Sequence, residues 1–339
     1  MNRVNTSNRV TMADVARTAG VSVATVSKVV NNKDGISEAR AQHVKDVIAQ
    51  LGYTASLGAQ SLRSRNTGVL GMLVADFEPF STELLKGASS AIKATDYELL
   101  AYSGKSDGST KYGWERKHLA RLSGTLIDGA VIVTPTGVET TFPVPIVAVD
   151  PHIETTQLPT VRCDSYAGAI TATQYLIGLG HRRIGFLGGR TDLQSSKDRE
   201  AGYRAALVDA GLDIDESLIG DGGYSSELTI GPATTLLSGP HPPTAIFAAN
   251  DLSAIEVIKV AESLGLSVPH DLSVVGFDNI PEAALFHTPL TTMAQPLQEM
   301  GAIAMDMLVR LVAGQETETQ VILDTTLVVR DSCGRPAHK

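Results

Sequence analysis

The sequence is poor in the residues that build disulfide frameworks and metal centres. Its 339 residues include two cysteines, Cys163 and Cys333, which lie far apart, and eight histidines without metal-ligand spacing. We therefore expect no disulfide framework, no metal site, no cofactor and a reducing compartment. The N-terminus lacks the apolar segment of a secretory signal, and no uncharged stretch is long enough to cross a bilayer. These absences predict a soluble, cytoplasmic protein without a membrane partner.

Signs of catalysis are also scarce. Gly104, Lys105 and Ser106 resemble the end of a phosphate-binding loop, but the position where that loop needs its first glycine holds Leu99. We identify no nucleophile with a partnered base and no acid–base pair. No catalytic residue is predicted, and an α/β enzyme is the less favoured alternative.

Charge is distributed unevenly along the chain. The first 65 residues contain nine Lys or Arg against four Asp or Glu, whereas the whole chain has a net charge of −9. Phosphate groups attract the basic head and repel the acidic body, so we expect nucleic acid to contact the N-terminal segment alone. The length of the chain allows two or three folded units.

Residues 11–31, TMADVARTAGVSVATVSKVVN, show the pattern of two short helices joined by a turn at Gly20. Thr11 is the expected N-cap of the first helix, and Asp14 completes a capping box. Ser22 is the expected N-cap of the second helix. This helix-turn-helix pattern is a candidate reader of DNA sequence, although other small three-helix bundles have similar sequences.

The second helix of this pair sorts its side chains by face. At about 100° per residue, an apolar packing set lies opposite a small, polar, outward set. The packing set is Val26, Val29 and Val30, and the outward set is Val23, Ala24, Ser27, Lys28 and Asn31. The outward set suits a helix inserted in the major groove. A third helix with its own apolar stripe is expected between Ser37 and Gly52.

Two interpretations fit residues 54–65. The segment has room for a helix of about two turns, which is too short to be stable alone in water. One interpretation is therefore a flexible linker. The other is a helix that folds only against DNA and a second copy of the chain, with Leu62 as an apolar wedge in the minor groove and Arg63 and Arg65 on phosphates.

From residue 68 onward, short apolar runs alternate with helical stretches, which are clearest at Leu84–Ala94 and Leu252–Leu264. The runs are GVLGMLVA, YELLAYS, GAVIVTP and PIVAVD, then RRIGFLGG, TAIFAAN and LSVVGFD. This alternation predicts two similar α/β units with parallel sheets. Ligands bind at the carboxyl ends of such strands. The polar residues there are Asp76, Asp150, Asn250, Asp251 and Asp278, although each is also a common turn or cap residue, and Asp251 is placed to cap the helix at Leu252.

Five strings in the chain resemble the LacI/GalR family of bacterial transcription regulators, whose body is related to periplasmic sugar-binding proteins. They are VTMADVARTAGVSVATVSKVVN, GHRRIGFLGG, GYRAAL, PTAIFAAND and DLSVVGFDNIPEAALFHTPLTTMAQP. The resemblance implies an all-α helix-turn-helix DNA-binding domain over residues 1–55, a hinge helix or linker over 56–66, and an effector-binding and dimerisation domain over 67–339. This last domain would be a periplasmic-binding-protein-like body of two doubly wound parallel-sheet subdomains, about 67–163 with 295–323 and about 164–292 with 324–332.

The resemblance also implies which residues contact DNA. Val23, Ala24 and Lys28 match the family's base-reading positions, and Lys28 stands where most relatives have Arg. The complete expected set is Thr11, Ser22, Val23, Ala24, Thr25, Ser27, Lys28, Asn31, Ala59, Leu62 and Arg63. The implied partner is a double-stranded, pseudo-palindromic operator. A homodimer is expected rather than a tetramer, because the family's C-terminal tetramerisation helix has no counterpart after VVRDSCGRP.

For the body, the resemblance implies an effector cleft between the subdomains. Its expected residues are Asp76, Phe80, Asp150, Arg199, Tyr224, Asn250 and Asp278. Carboxylates and Arg engage adjacent hydroxyls while an aromatic ring stacks on a sugar, so a mono- or oligosaccharide is the favoured effector. Arg199 has an alternative role as a surface ion-pair partner of its acidic neighbours in sequence. The resemblance implies a repressor controlled by a small molecule, and a solute-binding protein without a DNA role is the main alternative.

Overall fold

The computed structural model describes residues 10–30, 34–53, 66–104, 114–136, 142–152 and 157–337. By its internal contacts the chain divides into two compact units, Met1–Thr67 and Gly68–Lys339. Each unit has its own buried apolar core. None of the helices in the described residues is long and apolar enough to span a membrane.

The described part of the first unit contains three helices, α1 (Met12–Ala19), α2 (Val23–Val30) and α3 (Glu38–Leu51). The predicted capping box is confirmed, because the Asp14 amide donates to Thr11 Oγ1 and the Thr11 amide donates to Asp14 Oδ2. Gly20 ends α1 with a φ of 64°, a left-handed conformation that glycine adopts without steric cost. Ser22 Oγ accepts from the Thr25 amide at 3.1 Å, which confirms the second predicted cap.

The core of the first unit joins the apolar faces of the three helices. Its buried members are Val15, Ala16, Ala19, Val26, Val29, Val44 and Val47. Val26 and Val29 of α2 therefore pack inward as predicted, while Val23 on the opposite face is 45% exposed. Ser37 occupies the N-cap of α3 without a capping bond from its side chain, and Gly52 ends that helix.

The described part of the second unit forms two six-stranded sheets. The first has the order β11 (Gln320–Leu323), β5 (Thr160–Cys163), β4 (Ile146–Val149), β3 (Gly129–Val133), β1 (Val69–Val74) and β2 (Glu98–Ser103). The second has the order β12 (Thr326–Val328), β10 (Thr291–Ala294), β9 (Ser273–Asp278), β8 (Ala245–Ala248), β6 (Ile184–Gly188) and β7 (Ile219–Asp221). The pairings between these strands are parallel except that of β12 with β10.

Helices lie on the faces of these sheets and close their cores. They are α4 (Pro79–Ile92), α5 (Trp114–Leu122), α6 (Ser165–Leu179), α7 (Gln194–Asp209), α8 (Ser226–Leu237), α9 (Asp251–Ser263), α10 (Pro281–Leu285) and α11 (Leu297–Val312), with a 3₁₀ turn at Glu216–Leu218. The core of the first sheet is built from β1, β3, β4, α4 and α11. The helices α6 and α7 pack with each other beside the second sheet.

The chain passes between the two sheets three times. It leaves the first sheet after β5 to form α6, leaves the second after β10 to form α11, and crosses again between β11 and β12. Each sheet is therefore completed by residues distant in sequence. A cleft between the sheets follows from this connectivity, at the carboxyl ends of their central strands.

The predicted α/β architecture is confirmed in its central elements and differs at its edges. The seven predicted runs all contain strands. The helix expected at Leu84–Ala94 begins earlier, at Pro79, because proline suits the first turn of a helix, where an amide would lack a partner. The short strands β5, β7, β10, β11 and β12 have no clear apolar run of their own, and tertiary pairing defines them.

Candidate functional site

A cavity of about 410 Å³ lies at the carboxyl ends of the central strands of both sheets. β1, β3 and β4 lead into it from the first sheet, and β6, β8 and β9 lead into it from the second. The side chains predicted for an effector site all line it, namely Asp76, Phe80, Asp150, Arg199, Tyr224, Asn250 and Asp278. The fold thus brings together residues that are far apart in sequence. Their contact with a ligand stays a prediction.

Several residues that line this cavity have unfavourable backbone conformations. Thr134, Asp150, Tyr224 and Asp278 have φ angles of 47°, 46°, 59° and 119°, and all four line the cavity. Such conformations cost non-glycine residues on the order of 1–3 kcal/mol each. Among the other described non-glycine residues, only Asn279, directly after Asp278, has a positive φ. Strain gathered at one place is typical of a binding site.

Arg199 is buried at the base of the cavity, with 3% of its surface exposed. Its Nε donates to Ser165 Oγ at 3.3 Å, and its Nη1 donates to the Ala249 carbonyl and lies 3.6 Å from Asp278 Oδ1. The guanidinium carbon lies 3.8 Å from the centroid of the Phe277 ring. The alternative role as a surface ion-pair partner is therefore wrong. Arg199 neutralises charge inside the cavity wall.

Asp150 and Asp278 are each held by a hydrogen bond. Asp150 Oδ2 accepts from the Ser195 hydroxyl at 3.0 Å, and Asp278 Oδ1 accepts from Gln295 Nε2 at 2.7 Å. Burial raises the pKa of Asp150, and it raises the pKa of Asp278 to about 7, although Arg199 opposes both shifts. Both carboxyl groups are therefore poorly solvated acceptors, for which hydroxyl groups of a ligand would replace lost water.

Asn250 and Asp251 have different roles although they are neighbours at the end of β8. Asn250 Oδ1 accepts from the Ser253 amide at 3.0 Å, so Asn250 caps α9 while it lines the cavity. Asp251 is not the cap that its position predicts. Its carboxylate is fully buried and accepts hydrogen bonds from the Thr292 hydroxyl and the Ile280 amide, which tie α9 to the second sheet. Asp251 is structural.

Tyr224 and Phe80 supply the aromatic surface of the cavity. The Tyr224 ring lies against Gly189, where a Cβ atom would come within 2.1 Å of the ring, so that glycine makes room for it. The Tyr224 hydroxyl oxygen is buried and makes no hydrogen bond with any described residue. The Ser195 side chain lies close enough to affect its pKa without meeting hydrogen-bond geometry, so a ligand that offers a better-placed partner would satisfy this hydroxyl.

The prediction missed several polar residues of the cavity wall, among them Arg190, Ser195 and Glu78. Arg190 follows the glycine-rich end of β6, so the rule that ligands bind at strand ends indicates it. Ser195 lies in the first turn of α7 and Glu78 directly before α4, where neither the strand pattern nor residue type distinguishes them from ordinary polar residues. Arg190 is paired with Asp192 through two hydrogen bonds.

His152 lies close to the cavity in the loop after β4 and is nearly fully buried. Both ring nitrogens lack a hydrogen-bond partner among the described residues, although Nδ1 lies 3.3 Å from Asp192 Oδ2. Burial lowers the pKa of His152 to about 4, and Asp192 only partly opposes this shift. The ring is therefore neutral at pH 7, and its protonation opposes folding.

We expect the variant His152→Leu to remove a component of acid sensitivity. The folded-state pKa lies below the unfolded value, so the unfolded state binds the proton first and the wild type loses stability as pH falls from about 6.5 to 4. The loss relative to the variant should reach about 3 kcal/mol. Urea denaturation at several pH values measures it, with His270→Leu at an exposed site as the control. Parallel pH curves for wild type and His152→Leu would refute this account.

The predicted DNA-contacting residues in the described part of the head are all at least partly accessible. Thr11, Ser22, Val23, Ala24 and Lys28 are exposed, and Thr25 and Ser27 are half-buried. Asn31, Ala59, Leu62 and Arg63 lie outside the described residues. An open cavity of about 590 Å³ borders Ser22 and Thr25 and is completed by Ser37, Arg40 and His43 of the α3 region, which the prediction omitted. Contact with DNA remains a prediction for all of these residues.

Comparison with known proteins identifies both units. The family model "Bacterial regulatory proteins, lacI family" matches residues 11–56, and "Periplasmic binding protein-like domain" matches residues 173–333. The HTH-type transcriptional regulator DegA of Bacillus subtilis (strain 168) is 34% identical and covers 96% of this chain and 98% of its own. The ribose operon repressor of Escherichia coli (strain K12) is also 34% identical, over 95% of this chain and 98% of its own.

A solved structure, the transcriptional regulator CelR-cellobiose complex, is 30% identical with a TM-score of 0.70, and the match covers 96% of this chain and 100% of that one. The relatives are transcription regulators, and the match includes the helix-turn-helix head as well as the body. The sequence-based alternatives, an α/β enzyme and a solute-binding protein without a DNA role, are therefore set aside. The chain belongs to the lacI family of bacterial regulatory proteins, and it is a DNA-binding transcriptional regulator with a periplasmic-binding-protein-like effector domain.

Proposed function

We propose that this regulator is a repressor whose affinity for a pseudo-palindromic operator is controlled by a mono- or oligosaccharide bound in the cavity between the two sheets. The observation that carries this proposal is the composition of that cavity. Its wall combines carboxylates, a buried Arg, an Asn and two aromatic rings around about 410 Å³. A volume of this size suits one or two sugar rings.

The chemistry of the wall supports a polyhydroxylated ligand. Asp150 and Asp278 offer acceptors to neighbouring hydroxyl groups, and Arg199 Nη2 makes no hydrogen bond with a described residue. Phe80 or Tyr224 would stack on the apolar face of a sugar ring. The names of two relatives agree in class, since one is solved with cellobiose and another is the repressor of a ribose operon.

On the DNA side, α2 would lie in the major groove with Val23, Ala24 and Lys28 towards the bases. A homodimer would place two such helices on the two half-sites. Residues 56–66 would fold as a hinge helix in the minor groove when both copies are bound, with Leu62 as the wedge. Effector binding and operator binding would be coupled through the relative position of the two subdomains.

We expect the effector to act through contacts that join the two sheets across the cleft. Asp150 follows β4 and receives its hydrogen bond from Ser195 of α7, which packs beside the second sheet. Arg162 of β5 lies 3.8 Å from Asp198 of α7. A sugar in the cavity that competes for Asp150 and Ser195, which both line it, would favour one subdomain arrangement, and operator affinity would follow. A sugar effector is expected to lower operator affinity and release the regulator from DNA.

The test starts from an operator selected from random duplexes with the purified chain. Titration at fixed salt should show a preference for one pseudo-palindrome, and thermal shifts across a sugar panel should reveal a ligand that weakens that binding. Equal affinity for every duplex would contradict the DNA part. A specific operator whose binding no sugar changes would contradict the effector part.

Replacing Lys28 with alanine should weaken specific operator binding by about 10- to 100-fold, because a lysine on the exposed face of α2 would donate to guanine in the major groove. Binding of the effector should be unchanged. Lys259→Ala, which removes the same charge from an ion pair with Glu256 in the second unit, is the matched control. Equal operator affinities for the two variants would exclude base recognition by Lys28.

A further inference from the structure

The wall of the cavity carries more negative than positive side chains. Its acidic members are Asp76, Glu78, Asp150 and Asp278, and its basic members are Arg190 and Arg199. No lysine or histidine is found among the described residues that line it. The number of charges alone does not decide which ligand fits, because an arginine that is already paired with a protein group is not free to bind a ligand.

Both arginines are already engaged by the protein. Arg190 Nε and Nη2 donate to the two carboxylate oxygens of Asp192 at 3.1 and 2.7 Å, a bidentate pair that uses the face of the guanidinium best suited to a phosphate or carboxylate. Arg199 is committed to Ser165, the Ala249 carbonyl and Asp278. It has one amino group left, Nη2, and its charge is already shared with Asp278.

The carboxylates, by contrast, are not neutralised to the same degree. Glu78 lies close enough to Asp76 and Asp278 for their charges to interact. Loss of solvent raises the pKa of Glu78, and the neighbouring charge of Asp76 raises it further. Burial raises the pKa of Asp150 and Asp278 as well, which favours their neutral forms, so an anionic ligand is disfavoured by the lack of a free cation and not by these two carboxyl groups. An anion placed here would meet like charge and, among the described lining residues, no uncommitted cation.

We infer that the effector bears no phosphate or carboxylate group and is an unphosphorylated, uncharged polyol. This inference rests on the proposed function and deepens it. The observation that carries it is geometric: Asp192 engages Arg190 through both carboxylate oxygens, and Arg199 is held by Ser165, the Ala249 carbonyl and Asp278.

The first experiment compares matched pairs of sugars by isothermal titration of the full chain: glucose with glucose 6-phosphate, fructose with fructose 6-phosphate, and ribose with ribose 5-phosphate. Within any pair that contains a binder, the phosphorylated member should bind at least about 100-fold more weakly, because its charge would be buried without a partner. Equal or tighter binding of a phosphorylated member would overturn the inference.

The variant Asp192→Asn tests whether the pairing of Arg190 with Asp192 is what weakens the binding of phosphorylated sugars. Loss of the Asp192 charge frees the Arg190 guanidinium, so the phosphorylated member of the binding pair should gain at least about 10-fold in affinity relative to wild type while the free sugar changes less. Asp215→Asn, which breaks the exposed ion pair with Arg183, is the matched control. An identical ratio between the two sugars in wild type and Asp192→Asn would show that Arg190 does not set the discrimination.

A second measurement decides the inference even if no sugar of the panel binds. Inorganic phosphate is titrated at constant ionic strength while the Nε–H resonances of Arg190 and Arg199 are followed by NMR. Both should remain unshifted at millimolar phosphate in the wild type. A saturable shift of either signal would overturn the inference, whereas failure of every sugar to alter operator binding would overturn the proposed function alone.

Discussion

Replacing Gly87 or Gly301 with alanine is expected to cost about 3 kcal/mol of unfolding free energy, a large part of the stability of an ordinary domain. Gly87 lies in α4 and Gly301 in α11, and the two helices pack with their backbones in close contact. A Cβ atom on Gly87 would come within 1.8 Å of the Gln298 carbonyl oxygen. One on Gly301 would come within 2.0 Å of the Leu84 carbonyl oxygen.

The clash at both positions is with main-chain atoms, which no rotamer change relieves. The helices would have to separate, and separation would open a core that includes Leu84, Ala88 and Met300, all fully buried. The crossing is also tied by a hydrogen bond from Gln298 Nε2 to Glu83 Oε2 at 2.7 Å. Phe80 and Ser81 in the first turn of α4 line the cavity, so each variant should also weaken effector binding.

Urea denaturation of the full chain measures this effect, and Gly178→Ala is its matched control. Gly178 lies within α6, and apart from the backbone of its own helix no atom lies within 4 Å of the place where a Cβ atom would stand. Alanine there should therefore stabilise the protein by up to about 1 kcal/mol. The same glycine-to-alanine substitution is therefore expected to destabilise the protein at positions 87 and 301 and to stabilise it at position 178. A Gly301→Ala protein as stable as wild type would exclude a backbone-to-backbone crossing.

The sequence was most informative where a residue follows a buried strand. Asp76, Asp150 and Asp278 could be assigned to one site because parallel strands present their carboxyl ends at the same edge of a sheet. The same rule placed Asp251 with them, and here it failed to separate a ligand-facing carboxylate from a structural one. The difference depends on Thr292, about forty residues later in the chain, whose hydroxyl holds Asp251. Contacts at that separation leave no local pattern.

The burial of Arg199 could have been predicted from the helical spacing of its neighbours, but the acidic residues on either side of it suggested a surface ion pair instead. Arg199 stands between two acidic residues, as surface ion pairs do, yet the spacing of Ser195, Arg199, Tyr203 and Leu207 puts all four on one face of α7. That face is buried. The tight crossing of α4 and α11 carried no such signal, because glycines in helices far apart in sequence do not reveal which helix they face.

Replacing Arg199 with methionine should destabilise the protein by about 3 kcal/mol, because it removes the hydrogen bonds to Ser165 and the Ala249 carbonyl together with the cation beside Asp278. The variant should bind operator DNA and fail to respond to the effector. Arg204→Met on the same helix is the control: Arg204 pairs with Glu200 and Glu216 near the surface, where such pairs contribute about 1 kcal/mol or less.

A double-mutant cycle with Asp278→Asn separates charge from packing. Arg199 favours the ionised form of Asp278, whose pKa burial raises to about 7, so the pair is fully charged only above that value. The coupling energy between Arg199→Met and Asp278→Asn should therefore be larger at pH 8 than at pH 5, where Asp278 is protonated with or without its partner. If the coupling is the same at both pH values, Arg199 holds the cavity wall through its contact with Phe277 and its hydrogen bonds, and the ion pair contributes little.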